Sequence, residues 1–257
     1  MDRTRLRATF DEVAELYDRA RPGYPRAVLD DLIALAGLER RSRVVEIGPG
    51  TGQATVPLAE RGLDVTAVEL GESLSEVAAR NLARFDHVDV VRADFESWEP
   101  PRRDFDAVVA FTAFHWLDPA TRVERCARLL RRGGSLAVVK TQHVTPEGGD
   151  PFFAEVQDAY VRSGEARAAP IDPDDVPDLA PELGVGGWFE QPEVRRYVWE
   201  EEYDADSYVA VLDTYSGHRA MPPEVRGELY REVRELIGGR RIRKAYLAIL
   251  HVARRRS

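Results

Sequence analysis

The sequence has a single cysteine among its 257 residues, Cys126. One cysteine excludes an intrachain disulfide and a zinc site built from several cysteines, and its helical surroundings predict a small buried side chain. The chain also lacks an apolar run long enough to span a membrane and a signal-like segment after Met1. No spacing of His, Cys, Asp and Glu indicates a metal site. These absences predict a cytoplasmic protein without a membrane partner or a metal.

A basic face is missing as well. The formal net charge is −9 and the isoelectric point is about 5.2, with Lys and Arg scattered among Asp and Glu. Proteins that bind nucleic acid usually carry a basic patch, so we expect no nucleic-acid partner. The composition, 44% hydrophobic and 32% charged, is that of a globular protein. We expect a monomer or homodimer that binds a small molecule.

Short apolar segments alternate with helical patterns in the first half of the chain. The predicted strands are 43–48, 64–69, 87–92, 105–111 and 135–140, followed later by 194–203 and 245–253. This alternation predicts an α/β fold, with a mostly parallel seven-stranded sheet and helices on both faces. Before the first strand, apolar spacing predicts a helix that starts near Leu6 and is stopped by Pro22, and a second helix over 26–37.

Two helix starts are marked by side-chain signals. Ser73 and Glu76 have the spacing of a capping box. Asp118 before Pro119 predicts a helix with proline at its first position, running to Arg132.

The regular alternation ends after Thr141. A helix is predicted from Asp150-Pro151, a surface loop over 164–187, and two helices over 205–216 and 222–237. This insertion is too small to fold alone, so it is interpreted as a helical lid. The chain is then a single domain, with an N-terminal helical cap (1–25), a ligand-binding core (26–140), and the lid helices with the last two strands (141–257).

A glycine-rich turn directly follows the first predicted strand: Glu46-Ile47-Gly48-Pro49-Gly50-Thr51-Gly52. Glycines let a backbone approach a ligand closely and adopt angles that other residues avoid. The spacing is not the G-x-G-x-x-G of a dinucleotide site, and no Gly-Lys-Ser/Thr ending of a phosphate loop follows. An acidic residue before the first glycine opposes a pyrophosphate and suits a ligand with an ammonium group.

Acidic residues also follow the next two strands. Glu69 ends the second strand, where a carboxylate can accept both hydroxyls of a ribose. Asp94-Phe95 follows the third strand and offers an acceptor for an exocyclic amine beside an aromatic surface. Because the carboxyl ends of parallel strands meet at one edge, these features are expected to form one ligand crevice.

With these motifs the sequence resembles class I (Rossmann-like) S-adenosylmethionine-dependent methyltransferases, and more narrowly the type 11, trans-aconitate methyltransferase-like group. The resemblance covers about residues 10–140 and rests on Val44–Gly52 and on the segment from Tyr17 to Pro25. It implies S-adenosylmethionine as cofactor and contacts from Tyr17 and Arg21 to its methionine carboxylate. The cofactor-binding set that it implies is Tyr17, Arg21, Glu46, Gly48, Gly50, Gly52, Glu69, Leu70, Asp94, Phe95 and Phe111.

Methyl transfer needs an acceptor atom held about 3 Å from the methyl carbon, and a base if that atom carries a proton. Residues after the fourth strand face this point in such a fold. His115 is therefore the candidate general base and Trp116 a candidate wall of the acceptor pocket. His143, Tyr215 and Arg219 are further candidates for substrate binding, Arg219 for an anionic acceptor. An acceptor that is already ionised needs no base.

Several alternatives stay open at this point. A protein of this fold can bind the cofactor without turnover and serve a regulatory or partner-binding role. A nicotinamide-dependent oxidoreductase is disfavoured by the glycine spacing. The run Thr112-Ala113-Phe114-His115 differs from the Asn/Asp-Pro-Pro-Tyr/Phe run of many base-amino methyltransferases. A metabolite or natural-product intermediate remains as acceptor, with O-, N- and C-methylation all open.

Overall fold

The computed structural model describes residues 11–256 and contains a seven-stranded sheet with the order β3-β2-β1-β4-β5-β7-β6. The strands are β1 (Arg43–Ile47), β2 (Asp64–Glu69), β3 (Val88–Arg92), β4 (Phe105–Phe111), β5 (Leu130–His143), β6 (Glu193–Tyr203) and β7 (Ile242–Arg254). β1 pairs in parallel with β2 and β4, β2 with β3, and β4 with β5.

β7 runs antiparallel to β5. The backbone N–H of Val144 donates to the carbonyl of Ala245 (3.1 Å), and that of Arg255 donates to Gly134 (2.7 Å), so the partners advance in opposite directions. The sheet is therefore mixed but mostly parallel. The predicted α/β class with a mostly parallel seven-stranded sheet is confirmed.

The α-helices of the described residues range from 4 to 15 residues in length. They are α1 (Ala14–Ala20), α2 (Arg26–Ala36), α3 (Thr55–Glu60), α4 (Glu72–Leu82), α5 (Arg122–Leu129), α6 (Phe152–Glu155), α7 (Gln157–Arg162), α8 (Ala180–Leu183), α9 (Ala205–Leu212), α10 (Ser216–Arg219) and α11 (Pro223–Ile237). The predicted helix over 26–37 is confirmed, with Gly37 in the left-handed conformation at its end. The first part of the helix predicted from Leu6 lies outside the described residues.

The capping box predicted at Ser73 and Glu76 is wrong. Helix α4 starts two residues earlier, with Gly71 instead of Ser73 as N-cap and no side-chain cap from that residue. The reason lies in the preceding strand end, because the carboxylate of Glu69 accepts the Gly71 N–H at 2.9 Å and so takes the role of a capping side chain.

The helix predicted from Pro119 to Arg132 is also shorter at both ends. Asp118 caps a turn instead, since its carboxylate accepts the Ala120 N–H (3.0 Å) and its carbonyl accepts the Arg122 N–H (2.9 Å). At the other end, Leu130 already pairs with Phe105 and belongs to β5. The predicted helix over 205–216 ends at Leu212 as α9, and a separate helix, α10, begins at Ser216. Short helical turns interrupt the predicted loop over 164–187.

The described chain separates into two compact units. The glycine-loop unit comprises residues 23–141, 177–197 and 248–256, and the tyrosine-rich unit comprises residues 11–22, 142–176 and 198–247. Each has a hydrophobic cluster of its own. Cys126 is fully buried in the first, as predicted, and the second centres on aromatic side chains such as Phe152 and Tyr208.

Neither a membrane-crossing helix nor a metal cluster is found within residues 11–256. None of their helices combines the length and apolarity needed to cross a bilayer. Within the same residues, no group of three or more His, Cys, Asp or Glu side chains is arranged to hold a metal ion.

Candidate functional site

The glycine turn after β1 adopts a conformation that requires glycine. Gly48, Gly50 and Gly52 have φ angles of +59°, +61° and +100°. A Cβ atom on Gly48 would lie 2.9 Å from the Cβ of Ala113, closer than such atoms approach in real structures. The Gly48 N–H also donates to the Val68 carbonyl at 3.0 Å, which ties the turn to β2. The sequence therefore folds here into a fixed backbone cradle.

Glu69 connects this turn to the start of α4. It is the last residue of β2 and is buried, and its two carboxylate oxygens accept the N–H groups of Gly50 and Gly71 at 2.9 Å each. Backbone donors fix a carboxylate rigidly and favour its charged form. The structure thus brings together Glu69 and the glycine turn, two features that the sequence predicted to share one crevice.

Glu46 is the second carboxylate of this unit, and it is only 1% exposed. Its Oε2 atom has no hydrogen-bond partner. Burial raises the pKa of Glu46 to about 7, against a smaller opposing contribution from the Thr55 hydroxyl, and the negative charge of Glu69 adds to the rise. A buried acceptor without a donor is costly, and the cost falls when a cationic donor binds beside it. An ammonium group meets that requirement and a phosphate does not.

The candidates near the ends of β2 and β3 differ in exposure. Leu70 is 41% exposed, so its side chain is an accessible apolar surface beside Glu69. Asp94 is half-buried, and its Oδ1 atom accepts the Glu96 N–H at 3.0 Å. Phe95 is only 3% exposed and packs in the hydrophobic cluster, with the Arg125 guanidinium 5.4 Å from its ring centre. Leu70 rather than the Phe95 ring supplies the free apolar surface.

Two residues that the sequence analysis did not select meet at the end of β4: Thr112, which directly follows the strand, and Tyr24, which contacts it. Thr112 has a φ angle of +54°, a strained value for a β-branched residue, and donates its N–H to the Val139 carbonyl at 2.8 Å. Its hydroxyl lies 3.2 Å from that of Tyr24. The Tyr24 ring packs 4.9 Å from that of Phe111, a predicted site residue. Tyr24 was visible within the Tyr17–Pro25 segment, and Thr112 directly follows the fourth strand, but its positive φ angle has no signal in the sequence.

His115 lies in a short 3₁₀ turn, Phe114–Trp116, with its ring 4.8 Å from that of Trp116. Arg122 holds this turn by donating to the Phe114 carbonyl at 3.0 Å. The His115 side chain keeps contact with solvent, yet the protein around the ring, followed by the positive charges of Arg122 and Lys140, lowers its pKa. His115 is therefore neutral at pH 7 and able to accept a proton.

Five predicted site residues lie in the tyrosine-rich unit: Tyr17, Arg21, His143, Tyr215 and Arg219. The structure brings three of them together. The Arg21 guanidinium lies 4.9 Å from the ring centre of Tyr17 and 4.4 Å from that of Tyr215, and it donates to the Thr214 carbonyl at 3.1 Å. A role of these residues toward the cofactor stays a prediction.

The other two predicted residues of this unit have different surroundings. Arg219 is paired with the carboxylates of Glu12 (3.2 Å) and Asp213 (3.4 Å), so its charge is already balanced. His143 is the last residue of β5 rather than a residue beyond it, and its ring packs 4.6 Å from that of Phe153. Its Nε2 atom is buried without a partner, and burial, with a contribution from Lys244, lowers the pKa of His143 to about 3.

Lys244 is a further residue that sequence reasoning missed. Its ammonium group donates to the Tyr215 hydroxyl at 3.2 Å, and the residue is 3% exposed. A lysine within the apolar run of β7 was a visible signal, because charged residues are rarely buried without a purpose.

Comparisons with known proteins agree with this geometry. A family described as "Methyltransferase domain" matches residues 45–138, from β1 to β5. An uncharacterized methyltransferase of Mycobacterium tuberculosis is 36% identical over 135 residues, covering 51% of each chain. An uncharacterized methyltransferase of Geobacillus kaustophilus is 31% identical over 162 residues, covering 60% of this chain and 73% of that protein. The chain spans about half the length of the first of these relatives.

Solved structures share the fold across nearly the whole chain. A candidate type II methyltransferase of Anaeromyxobacter dehalogenans superposes with a TM-score of 0.63 at 24% identity, over 92% of this chain and 97% of that one. A phosphoethanolamine N-methyltransferase of Haemonchus contortus, solved with S-adenosylhomocysteine, gives a TM-score of 0.54 at 14% identity, over 96% of this chain and 58% of that one. At these identities the likeness concerns the fold alone.

The family match begins within β1 and includes the glycine turn, Glu46 and Glu69. One relative more than 30% identical is covered over 73% of its length. The chain therefore belongs to the methyltransferase family whose shared module is the class I methyltransferase domain.

Proposed function

We propose that this protein transfers a methyl group from S-adenosylmethionine to a small-molecule acceptor. The observation that carries the proposal is the pair of buried carboxylates at the glycine turn. Glu69 is held by two backbone N–H groups, and Glu46 presents an acceptor atom without a donor. This arrangement suits a ligand with ribose hydroxyls and an ammonium group and opposes one with a pyrophosphate.

The residues fit S-adenosylmethionine in three respects. The unpartnered Glu46 oxygen matches an ammonium donor, Glu69 matches the two ribose hydroxyls, and the Gly48 cradle leaves room that any side chain would remove. Leu70 supplies an exposed apolar surface, and Asp94 a carboxylate, for the adenine. When bound, the cofactor would supply an electrophilic methyl group on a sulfonium: the acceptor atom would bond the methyl carbon while the methyl–sulfur bond breaks and the sulfur leaves as a neutral thioether.

The part of this chain in the reaction is positioning and, for an acceptor that carries a proton, proton removal. His115 is neutral at pH 7 because its pKa is lowered, so its ring is ready to take that proton. The Trp116 ring, 4.8 Å away, limits the orientations open to His115. An acceptor that is already anionic needs only the positioning.

The experiment that tests the proposal is calorimetric titration with S-adenosylmethionine, S-adenosylhomocysteine and NADH. We expect micromolar binding of the first two at one site per chain and no binding of NADH. Glu69→Gln removes the charge that holds Gly50 and Gly71 and is expected to weaken S-adenosylmethionine binding at least tenfold, or about 1.4 kcal/mol.

Glu60→Gln is the matched control, because this exposed carboxylate pairs with the exposed Arg84. It should leave cofactor binding unchanged. Binding of NADH in preference to the sulfonium ligand, or equal binding by the wild-type and Glu69→Gln proteins, would overturn the proposal. If the cofactor binds but a broad screen with a labelled methyl group finds no acceptor, the result would favour the alternative that the protein binds the cofactor without turnover.

A further inference from the structure

The turn that carries His115 is held by an arginine to which the proposed reaction assigns no role. Arg122 is the first residue of α5 and belongs, like His115, to the glycine-loop unit. Its Nη1 atom donates to the Phe114 carbonyl at 3.0 Å, and its guanidinium carbon lies 4.7 Å from the centre of the Phe114 ring. Arg122 thus contacts the residue next to His115 through both its backbone and its ring.

A carboxylate from a distant segment fixes the other side of Arg122. Glu182 in α8 forms an ion pair with the Arg122 guanidinium across 60 residues. The segment around Glu182 is itself anchored, because Leu183 is fully buried and the Leu179 N–H donates to the His251 Nε2 atom at 2.8 Å. The Arg122 side chain is only 10% exposed. It is therefore held between two fixed points.

The arrangement is more costly than stability alone requires. The Nε atom of Arg122 is buried without an acceptor. A buried N–H group without a hydrogen bond costs free energy, and an apolar side chain would cover the Phe114 ring without that cost. An apolar side chain cannot supply a donor to the Phe114 carbonyl or a positive charge beside His115. These two properties are what Arg122 adds to the turn.

The charge of Arg122 acts on the imidazole. The protein around the ring, followed by the positive charges of Arg122 and Lys140, lowers the pKa of His115. The carboxylates of the neighbouring turns accept backbone N–H groups: Glu96 accepts that of Asp118 at 2.7 Å, and Asp118 accepts one from its own turn at 3.0 Å. A lowered pKa keeps the ring unprotonated at neutral pH, which a proton acceptor requires.

The same helix carries a second arginine that contacts a different loop. Arg125, one turn further on, donates from its Nε and Nη2 atoms to the carbonyls of Phe95 and Trp98 in the loop after β3. This loop carries Asp94, the carboxylate proposed for the adenine. Arg122 and Arg125 therefore act on different parts of the site, and their effects on proton removal and on cofactor binding can be measured separately.

We propose that Arg122 is a positioning residue for His115, which fixes the turn Phe114–Trp116 by binding the Phe114 carbonyl and is itself held in place by Glu182. This inference rests on the proposed methyl transfer, in which His115 removes a proton from the acceptor. Arg122 acts through His115: it sets the orientation of the imidazole and provides a positive charge beside it.

The first test needs no acceptor. The full-length protein, labelled with ¹³C,¹⁵N-histidine, is titrated by NMR at low ionic strength, where charge effects are largest. The His115 signal is identified among those of the five histidines by its loss in His115→Ala. The variants are Arg122→Met, Arg122→Lys and Glu182→Gln. Arg128→Met is the matched control on the same helix, because the exposed Arg128 pairs with Glu124.

We expect Arg122→Met to raise the His115 pKa toward that of an ordinary histidine, because a positive charge beside the ring is removed. Glu182→Gln should lower it further, because the counter-charge of Arg122 is lost while the amide still accepts its hydrogen bond. Arg122→Lys should keep the pKa low, since the charge is retained. Arg125→Met and Arg128→Met should leave it unchanged. Loosening of the turn alone cannot give opposite shifts from the two partners of one ion pair.

The second test measures turnover with an acceptor that carries a proton. Arg122→Met should lower kcat about tenfold or more while the dissociation constant of S-adenosylmethionine stays the same. Arg122→Lys should recover part of this loss, because its ammonium group donates to the Phe114 carbonyl but lacks the planar fork that also reaches Glu182. Arg125→Met should give the reverse pattern, with weaker cofactor binding and an unchanged His115 pKa.

The proposal is overturned if Arg122→Met leaves the His115 pKa or kcat unchanged, or if Arg122→Met and Glu182→Gln shift that pKa in the same direction. If Arg122→Met does not fold, Glu182→Gln decides alone, and a His115 pKa that stays or rises in this variant contradicts the proposal. Failure of the proposed function is separate: the wild type would not bind S-adenosylhomocysteine, while the His115 titration would still respond to Arg122.

Discussion

Glu46 and Lys244 are almost equally buried, at 1% and 3% exposure, but they carry opposite charges in different units. Glu46 belongs to the glycine-loop unit and has an oxygen without a donor. Lys244 belongs to the tyrosine-rich unit and has no carboxylate beside it among the described residues. Apolar residues at both positions would raise the free energy of unfolding. The comparison shows that each unit contains a buried charge that costs free energy.

The largest expected effect concerns His115, the candidate proton acceptor of the glycine-loop unit. With an acceptor that carries a proton, His115→Ala should lower kcat at pH 7 by about 100-fold or more while cofactor affinity stays the same. Because the pKa of His115 is lowered, the acid limb of the wild-type rate should have its midpoint below that of an ordinary histidine. Tyr215→Phe, in the tyrosine-rich unit, should leave this acid limb in place. Wild-type rates for His115→Ala across the pH range would contradict the assignment.

A second comparison concerns glycines. Gly48→Ala should lower the free energy of unfolding by about 2–4 kcal/mol, through left-handed strain and the contact with Ala113. Gly227 in α11 has open space around it, so Gly227→Ala should stabilise the protein by about 1 kcal/mol. Urea unfolding measures both changes. Equal effects of the two substitutions would show that the turn is not constrained.

The third prediction tests the buried negative charge through pH. The pKa of Glu46 is raised from 4.5 to about 7, so the folded protein binds more protons than the unfolded chain between these values. Stability is therefore lost as pH rises from 4.5 to 7. Glu46→Gln should be more stable than the wild type by about 2–3 kcal/mol at pH 8 and equal to it near pH 4. It should also bind S-adenosylmethionine more weakly at pH 8.

Glu60→Gln serves as the control for this pH series, because Glu60 is exposed. It should give the same stability difference at both pH values. A Glu46→Gln protein whose unfolding free energy follows the wild type at every pH would show that Glu46 is not a buried charge.

The smallest effect concerns hydroxyl pairs. Tyr24→Phe removes the contact with Thr112 at 3.2 Å, and Tyr203→Phe removes the contact with Tyr246 at 3.0 Å. Each should cost about 0.5–1.5 kcal/mol in urea unfolding. The Tyr203 pair is fully buried, so its loss should cost more than that of the half-buried Tyr24 pair. The reverse order would indicate that the strained Thr112 backbone depends on Tyr24.

Local sequence was sufficient where the site depends on neighbours in the chain or on strand ends. The glycine turn follows a buried strand directly, and parallel strands end at the same sheet edge. The amino-acid pattern alone therefore predicts that Gly50 and Glu69 lie together, and their hydrogen bond bears this out. The helix starts at Ser73 and Asp118 were misjudged, because a carboxylate from the preceding strand and a local turn took over the capping roles.

The sequence by itself determined the alternation of strands and helices and the glycine turn, because both depend on local backbone preferences and hydrophobic periodicity. Only the tertiary structure decided which charges stay unbalanced. Lys244 and Tyr215 are 29 residues apart, and Arg21 reaches the carbonyl of Thr214 across 193 residues. Tyr24 and Thr112 meet across 88. Such pairings follow from how distant segments pack, since burial and the absence of a counter-ion are properties of the whole fold rather than of any short segment.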